Sequence, residues 1–257
     1  MKGGLFDSHS HLDAPEFDPD REAVIGRAEA AGVYQQLLPA IDHAGWPKLK
    51  AICASRPGLH AAYGLHPMFL DRHRPEHLVS LLEWIERERP TAVGECGLDY
   101  FVEGLDPQLQ RHYFRRQLEI ARDFDLPVIV HARRSVEEVT ATIRNVGRLR
   151  GVIHSYSGSE EQARQLFGLG FLLGIGGPVT YARANRLRRI VASAPLEQLV
   201  LETDSPDQPD SLHRGARNEP SFIVTVLETV ASLRGLDAGL VGDATRENAE
   251  RLFGLAG

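Results

Sequence analysis

Residues 4–11, GLFDSHSH, join a short apolar run to two histidines at its end. In a β-strand, residues i and i+2 point to the same side, so His9 and His11 would project together. A short apolar run of this kind is typical of a strand that is buried on both faces, as in a parallel sheet. The stretch therefore predicts a buried parallel strand whose carboxyl end presents two imidazoles side by side.

Seven further apolar runs follow along the chain, and longer amphipathic runs separate them. They begin near Val33, Leu59, Thr91, Leu126, Gly151, Gly170 and Gln198. Alternation of strands and helices implies parallel strands. The 257 residues are close to the roughly 250 of one (β/α)8 barrel. We therefore predict an α/β protein with a (β/α)8 TIM barrel as a single domain over residues 1–257.

The alternative architecture is a doubly wound open sheet. It is disfavoured because no glycine-rich phosphate or dinucleotide loop follows the first strand. Helices are predicted after Pro19, after Pro75, over 107–124 and over 245–253, where apolar residues recur with helical spacing. The region after Asp207 is expected to pack on the barrel as a C-terminal elaboration.

The composition restricts location and partners. The net charge of −6 disfavours a broad footprint on duplex DNA, where lysines and arginines supply most of the affinity, but it permits a pocket for one strand end. The two cysteines, Cys53 and Cys96, are too few for a disulfide framework. No apolar run suggests a signal peptide or a membrane span. We expect a cytoplasmic protein without membrane contact, and a monomer as the default.

Metal-binding side chains end five of the predicted strands. For one such residue a hydrogen-bonded strand end would be the simpler interpretation, but a barrel gathers all its strand ends at one face, where active sites lie. Imidazoles and carboxylates suit zinc, manganese or nickel, with magnesium as a further option. The candidate ligands are His9, His11, Glu95, His131, His154 and Asp204.

Six ligands are too many for one catalytic zinc ion, which takes three protein ligands and a water. We therefore predict two divalent ions. The first would be bound by His9, His11 and Asp204, and the second by His131 and His154. Glu95, the remaining ligand, would bridge them.

Other residues near the predicted strand ends have two interpretations each. His66 would contact the substrate or its leaving group, or be structural. Arg133 would bind a phosphate, or form a surface ion pair, while Arg134 is expected to point away. Asp99 would orient the loop of the fourth strand, or be a plain turn residue. Cys96 should face the opposite side of its strand from the ligands, as a buried thiol.

These residues resemble the TatD family of metal-dependent hydrolases over nearly the whole chain. The matching motifs are Asp7-Ser8-His9-Ser10-His11, Gly64-Leu65-His66-Pro67, Gly94-Glu95-Cys96-Gly97-Leu98-Asp99, His131-Ala132-Arg133, His154-Ser155-Tyr156-Ser157-Gly158, Glu202-Thr203-Asp204-Ser205-Pro206, Arg217-Asn218-Glu219-Pro220 and Asn248-Ala249-Glu250-Arg251-Leu252-Phe253. Two departures are Tyr156 in place of the usual Phe, and Asp207-Gln208-Pro209 where many members are apolar or aromatic.

The resemblance implies a two-metal phosphodiesterase of the 3′–5′ exodeoxyribonuclease type, acting on DNA ends. In such a hydrolase a metal-activated water would attack, Asp204 would accept its proton, Glu95 would bridge the ions, His66 would assist the leaving oxygen and Arg133 would contact phosphate. The alternatives are another ester or amide hydrolase on the same barrel, such as a D-aminoacyl-tRNA deacylase or a lactonase, and a non-catalytic metal-binding barrel.

Overall fold

The computed structural model describes residues 3–255, and within them eight parallel strands form one nearly closed sheet in the order β1 to β8. The strands are β1 Leu5–Asp7, β2 Val33–Pro39, β3 Leu59–Tyr63, β4 Ala92–Asp99, β5 Val128–Arg133, β6 Gly151–Ile153, β7 Phe171–Ile175 and β8 Leu199–Leu201. Each strand pairs with its neighbour in sequence, so the predicted (β/α)8 barrel is confirmed and the open sheet is excluded.

Helices connect successive strands and cover the outside of the barrel. They are α1 Arg21–Ala30, α2 Trp46–Ser55, α3 Glu76–Glu88, α4 Pro107–Asp123, α5 Val136–Val146, α6 Glu160–Phe167, α7 Asn185–Ser193, α8 Ile223–Arg234 and α9 Ala238–Phe253. The prediction that the last helix begins at Thr245 is wrong. Asp237 accepts a hydrogen bond from the Leu240 backbone N–H (3.1 Å) and so caps a helix that starts at Ala238. Within residues 3–255, no helix is both long enough and apolar enough to cross a bilayer.

The inside of the barrel is filled with side chains below the strand ends. One inward-facing apolar residue comes from each of seven strands, and the end of α9 packs beneath them. These buried residues are Phe6, Leu37, Ala62, Ala92, Ile129, Val152, Val200, Leu252 and Phe253. Because this end of the barrel is a packed core, polar chemistry is confined to the carboxyl ends of the strands.

Backbone hydrogen bonds close the barrel between the segments that follow β1 and β8. They run from Ser8 N to Leu201 O (2.9 Å), from Asp204 N to His9 O (2.8 Å) and from His11 N to Ser205 O (2.8 Å). The buried Asp7 carboxylate reinforces this closure, because it accepts hydrogen bonds from the backbone N–H groups of His9 (3.2 Å) and Thr203 (3.0 Å). The first and last strand ends are thereby fixed to each other.

Gly97 is required where β4 meets β5. Its φ of +152° suits glycine, and an added Cβ would lie 2.0 Å from the backbone oxygen of His131. We expect Gly97→Ala to lower the free energy of unfolding by roughly 2–4 kcal/mol, through backbone strain and overpacking. Denaturant titration measures this change.

The control is Gly26→Ala in α1, where a Cβ meets no atom within 4 Å. It should raise the free energy of unfolding by roughly 0.5–1 kcal/mol, because alanine favours helix. Equal stability of Gly97→Ala and the wild type would show that β4 can move away from β5 without cost.

Candidate metal centre

The strand geometry delivers the candidate ligands to one place. Ile129 and Val152 face the inside of the barrel. His131 and His154 lie two residues further along the same strands or just beyond them, so they share that side at the level above the packed core. The structure brings all six predicted ligands to this level, and their role as ligands remains a prediction.

Glu95 is the centre of the cluster and is buried at 1% exposure. Its Oε1 lies 2.9 Å from His154 Nε2, 3.0 Å from His131 Nδ1 and 3.0 Å from His66 Nε2. His131 Nδ1 and His154 Nε2 are themselves 3.2 Å apart. One carboxylate oxygen is thus shared by three imidazoles.

The other oxygen of Glu95 faces a second group. Its Oε2 lies 3.1 Å from His9 Nε2 and 3.6 Å from His11 Nε2. Asp204 Oδ1 completes this group, at 3.4 Å from His9 Nε2 and 3.6 Å from His11 Nε2. The two oxygens of Glu95 therefore face two groups of side chains, and the binding of one ion by each group stays a prediction.

The outer hydrogen bonds of two histidines show that the centre suits cations. His11 Nδ1 lies 3.1 Å from the Pro39 carbonyl, and His131 Nε2 lies 2.8 Å from Asp99 Oδ2. Both outer nitrogens face acceptors and so carry one proton, which leaves the inner nitrogens, pointing at the oxygens of Glu95, to bind a further proton or a cation. A nitrogen lone pair at 3.0–3.6 Å from a carboxylate oxygen is repelled unless a proton or a metal ion lies between them. The donor set therefore fits divalent ions with nitrogen and oxygen ligands.

His66 turns its N–H toward Glu95, whereas the N–H groups that His11 and His131 direct at Pro39 and Asp99 point outward. Its Nδ1 accepts a hydrogen bond from the Met68 backbone N–H (3.2 Å), so Nε2 carries the proton when the ring is neutral. That proton points to Glu95 Oε1 at 3.0 Å. His66 can therefore donate a hydrogen bond into the site, and the substrate or leaving-group contact stays a prediction.

The buried charges shift one another strongly. Burial raises the pKa of Glu95, but the nearby histidine charges outweigh it and hold the pKa well below its usual value. Burial lowers the pKa of His9 to about 4. For His11 and His154 burial also lowers the pKa, but the Asp204 and Glu95 carboxylates outweigh it and raise the pKa to about 9 and about 10 respectively. Asp204, facing these histidines, has its pKa well below the usual range.

Asp99 holds both a candidate ligand and the loop that follows β4. Its Oδ2 accepts the hydrogen bond from His131 Nε2, while Oδ1 accepts from the backbone N–H groups of Phe101 (2.9 Å) and Val102 (3.0 Å). Burial raises its pKa, but the His131 bond outweighs this and lowers the pKa to about 2. Asp99 thus fixes the orientation of a candidate ligand.

Glu202 lies beside the candidate ligands, although it was not among those predicted from the sequence. It is fully buried, its Oε1 accepts from the Ser155 N–H (2.5 Å) and lies 3.8 Å from His154 Nδ1. Gly174 makes room for it, because a Cβ there would lie 2.1 Å from Glu202 Oε2. Burial raises its pKa to about 8. The signal was available, since Glu202 and Asp204 are two residues apart at a strand end.

The segment that departs from the family pattern contacts the site directly. Gln208 donates a hydrogen bond from Nε2 to Asp204 Oδ2 and accepts one from Ser155 Oγ (2.8 Å). The other departure, Tyr156, is buried, and its hydroxyl donates to the Ser159 carbonyl (2.5 Å). Gln208 therefore holds one oxygen of a candidate ligand, a contact that an apolar residue could not make.

Arg133 and Arg134 both contact Phe101. The guanidinium carbon of Arg133 lies 3.7 Å from the centre of the Phe101 ring, and that of Arg134 lies 4.6 Å from it. The expectation that Arg134 points away is wrong, because its backbone φ of +55° interrupts the strand alternation.

The thiol of Cys96 is buried beside the Ile129 carbonyl at 3.8 Å, away from the ligands as predicted.

Comparison with known proteins identifies relatives over the whole chain. The family model described as "TatD related DNase" matches residues 6–254. The Escherichia coli K12 metal-dependent hydrolase YjjV is 37% identical over 98% of this chain and 98% of its own length. The crystal structure of YjjV covers 100% of both chains with a TM-score of 0.95 at 35% identity. The 3′-5′ ssDNA/RNA exonuclease TatD of Erwinia tasmaniensis is 31% identical over 98% of this chain and all of its own length.

Asp99→Asn tests the orientation of His131. The amide can turn its N–H₂ toward His131 Nε2, which would move the imidazole proton to Nδ1, the atom that faces Glu95. We expect zinc or manganese affinity to fall about 10–100-fold, as for other groups that orient ligands. Isothermal titration calorimetry measures it.

Asp106→Asn is the matched control, since Asp106 caps α4 through the Gln108 N–H (2.8 Å) in the same loop. It should reduce stability slightly and leave ion affinity at the wild-type value. Loss of affinity in both variants, or in neither, would contradict the role assigned to Asp99.

Ion affinity should also increase with pH. The pKa values of His11 and His154, about 9 and about 10, are raised from 6.5, so both rings hold protons at neutral pH. Binding ions must displace these protons, and we expect about two protons to be released when both ions bind, one from each ring. Calorimetry at pH 7 in buffers of different ionisation enthalpy measures the number. Zero proton release would contradict the raised pKa values.

Proposed function

The chain belongs to the family of TatD related DNases, and we propose that it hydrolyses phosphodiester bonds at the 3′ ends of single-stranded DNA with two divalent ions. The observation that carries the proposal is the sharing of Glu95 between two sets of imidazoles. One oxygen faces His131 and His154, and the other faces His9 and His11. A carboxylate placed in this way suits a bridge between two cations.

The residues of the cluster have distinct roles in this proposal. His9, His11 and Asp204 would hold one ion, His131 and His154 the other, with Glu95 between them. When bound, divalent ions polarise the phosphoryl oxygen and lower the pKa of water enough for attack near neutral pH. Two groups with a shared carboxylate differ from a structural zinc site, which is closed with four ligands, and this difference favours catalysis over a purely structural role.

Asp204 and His66 are suited to assist the attacking water and the leaving group. Asp204 is ionised beside the histidines, and its carboxylate would accept the proton of the attacking water. His66 directs an N–H into the site and would donate a hydrogen bond that stabilises the negative charge on the leaving oxygen. Arg133, whose guanidinium lies on Phe101, would bind a phosphate of the substrate.

The relatives support a nucleic-acid substrate over other esters and amides. The Erwinia tasmaniensis relative is named for cleaving single-stranded DNA and RNA from the 3′ end. Many amide-hydrolysing barrels bridge their ions with a carbamylated lysine. In the described part of the chain, Lys48 and Lys50 pair with Asp18 (2.7 Å) and Glu88 (2.7 Å) on the outside of the barrel. The bridging position belongs to Glu95.

The decisive experiment combines elemental analysis with hydrolysis assays on one preparation. We expect two equivalents of zinc, manganese or nickel per chain, and stepwise shortening of a single-stranded oligonucleotide from its 3′ end. Parallel assays on a D-aminoacyl-tRNA and on simple lactones test the alternative hydrolases. Two bound ions without hydrolysis of any of these substrates would indicate a non-catalytic metal-binding barrel.

Asp204→Asn keeps the shape of the side chain and removes its basicity. We expect kcat on the oligonucleotide to fall about 10²–10⁴-fold, the usual contribution of a general base, with most of the bound metal retained. Asp123→Asn, at the exposed end of α4, is the matched control and should keep wild-type kcat. Turnover of Asp204→Asn within about threefold of the wild type would remove Asp204 from the base role.

A further inference from the structure

Two cationic side chains converge on one exposed aromatic ring at the rim of the barrel. The guanidinium carbons of Arg133 and Arg134 lie 3.7 and 4.6 Å from the centre of the Phe101 ring, which is 44% exposed. We call these three residues the rim cluster. Cation–π contacts of this kind hold a guanidinium in place while leaving its N–H groups free.

Neither guanidinium is neutralised within residues 3–255. Most arginines on the outer helices pair with carboxylates, as in Arg111 with Glu138 (2.5 Å). Arg133 and Arg134 form no ion pair or side-chain hydrogen bond with any described residue, and both are exposed. Two positive charges held against one neutral ring repel each other, and a bound anion between them would relieve that repulsion.

Hydrogen bonds made by two side chains connect the rim cluster to the metal centre. Asp99 accepts hydrogen bonds from the Phe101 N–H through one oxygen and from His131 through the other. Ser135, next to Arg134, donates from Oγ to the Leu98 carbonyl (2.7 Å), which fixes the loop that follows β5. The rim cluster is therefore held at a set position relative to the candidate ligands.

Arg133 lies on the same side of β5 as His131, two residues nearer the rim, which is about 7 Å along a strand. A phosphate bound at Arg133 would lie nearer the rim than the phosphate at the metal centre. The two phosphates would still be close enough to belong to one nucleic-acid strand.

We propose that Phe101, Arg133 and Arg134 form a phosphate-binding subsite for the phosphodiester that flanks the scissile one in a single nucleic-acid strand. The planar guanidinium matches two phosphate oxygens at once. The exposed part of the Phe101 ring offers a surface on which an unpaired base can stack. This subsite rests on the phosphodiesterase function proposed above and adds the requirement for a substrate longer than one phosphodiester.

The experiment compares two substrates in each variant. A single-stranded oligonucleotide has flanking phosphates, and bis(p-nitrophenyl) phosphate has none. For Arg134→Ala, kcat/KM should fall at least about tenfold more on the oligonucleotide than on the small diester, the loss expected when one bidentate phosphate contact is removed. The log–log slope of kcat/KM on the oligonucleotide against salt concentration should become shallower by about 0.7.

Arg148→Ala is the matched control. Arg148 is also exposed and also has a left-handed backbone (φ +53°), but it precedes β6 at the opposite end of the barrel. It should leave the ratio of the two kcat/KM values unchanged. Phe101→Ala should change the ratio in the same direction as Arg134→Ala, because both guanidiniums lose their support.

A neutral methylphosphonate at the linkage next to the scissile bond provides a second test. On that substrate Arg134→Ala and the wild type should have the same kcat/KM, since the contact is already lost. Equal ratios for Arg134→Ala and Arg148→Ala would overturn the subsite while leaving the phosphodiesterase function intact. If the wild type cleaves neither substrate, the proposed function fails. The subsite is then tested by binding of a fluorescent single strand, and equal affinity of the wild type and Arg134→Ala overturns it as well.

Discussion

The closure of the barrel between the ends of β1 and β8 is the constraint on which the candidate site depends. Asp204 N donates to the His9 carbonyl (2.8 Å), and the Asp7 carboxylate binds the backbone on both sides of the junction. Without these bonds His9 and Asp204, nearly two hundred residues apart in sequence, would have no reason to meet. Because the hydrogen bonds are made by backbone atoms and one buried carboxylate, the side chains of His9 and Asp204 remain free to face the centre.

The centre itself concentrates groups that would be costly to bury singly. Glu95 and Asp204 remain ionised only because histidines surround them, and the raised pKa values of His11 and His154 reflect the same mutual dependence. Positive charge is therefore needed at this position, whether protons or metal ions provide it. The packed apolar layer below excludes water on one side, which strengthens each of these interactions.

The sequence predicted the elements whose signal is local. Strand ends, the two-residue spacing of side chains and the meeting of strand ends in a barrel were enough to gather His131 with the other candidates. The partner of His131 could not be predicted in this way, because the contact with Asp99 depends on the register of β4 against β5. Arg134 was misplaced because a single left-handed residue reverses the strand alternation. The start of α9 was missed because glycines near its beginning mask the cap at Asp237.

The spread of the candidate ligands along the chain also bears on biosynthesis. The set that faces one oxygen of Glu95 contains His9 from the first strand and Asp204 from beyond the last. A ribosome must therefore synthesise about four-fifths of the chain before that set can exist, so an ion cannot nucleate the early folding of the barrel at this position. An ion could occupy this set only after the segments that follow β1 and β8 have come together.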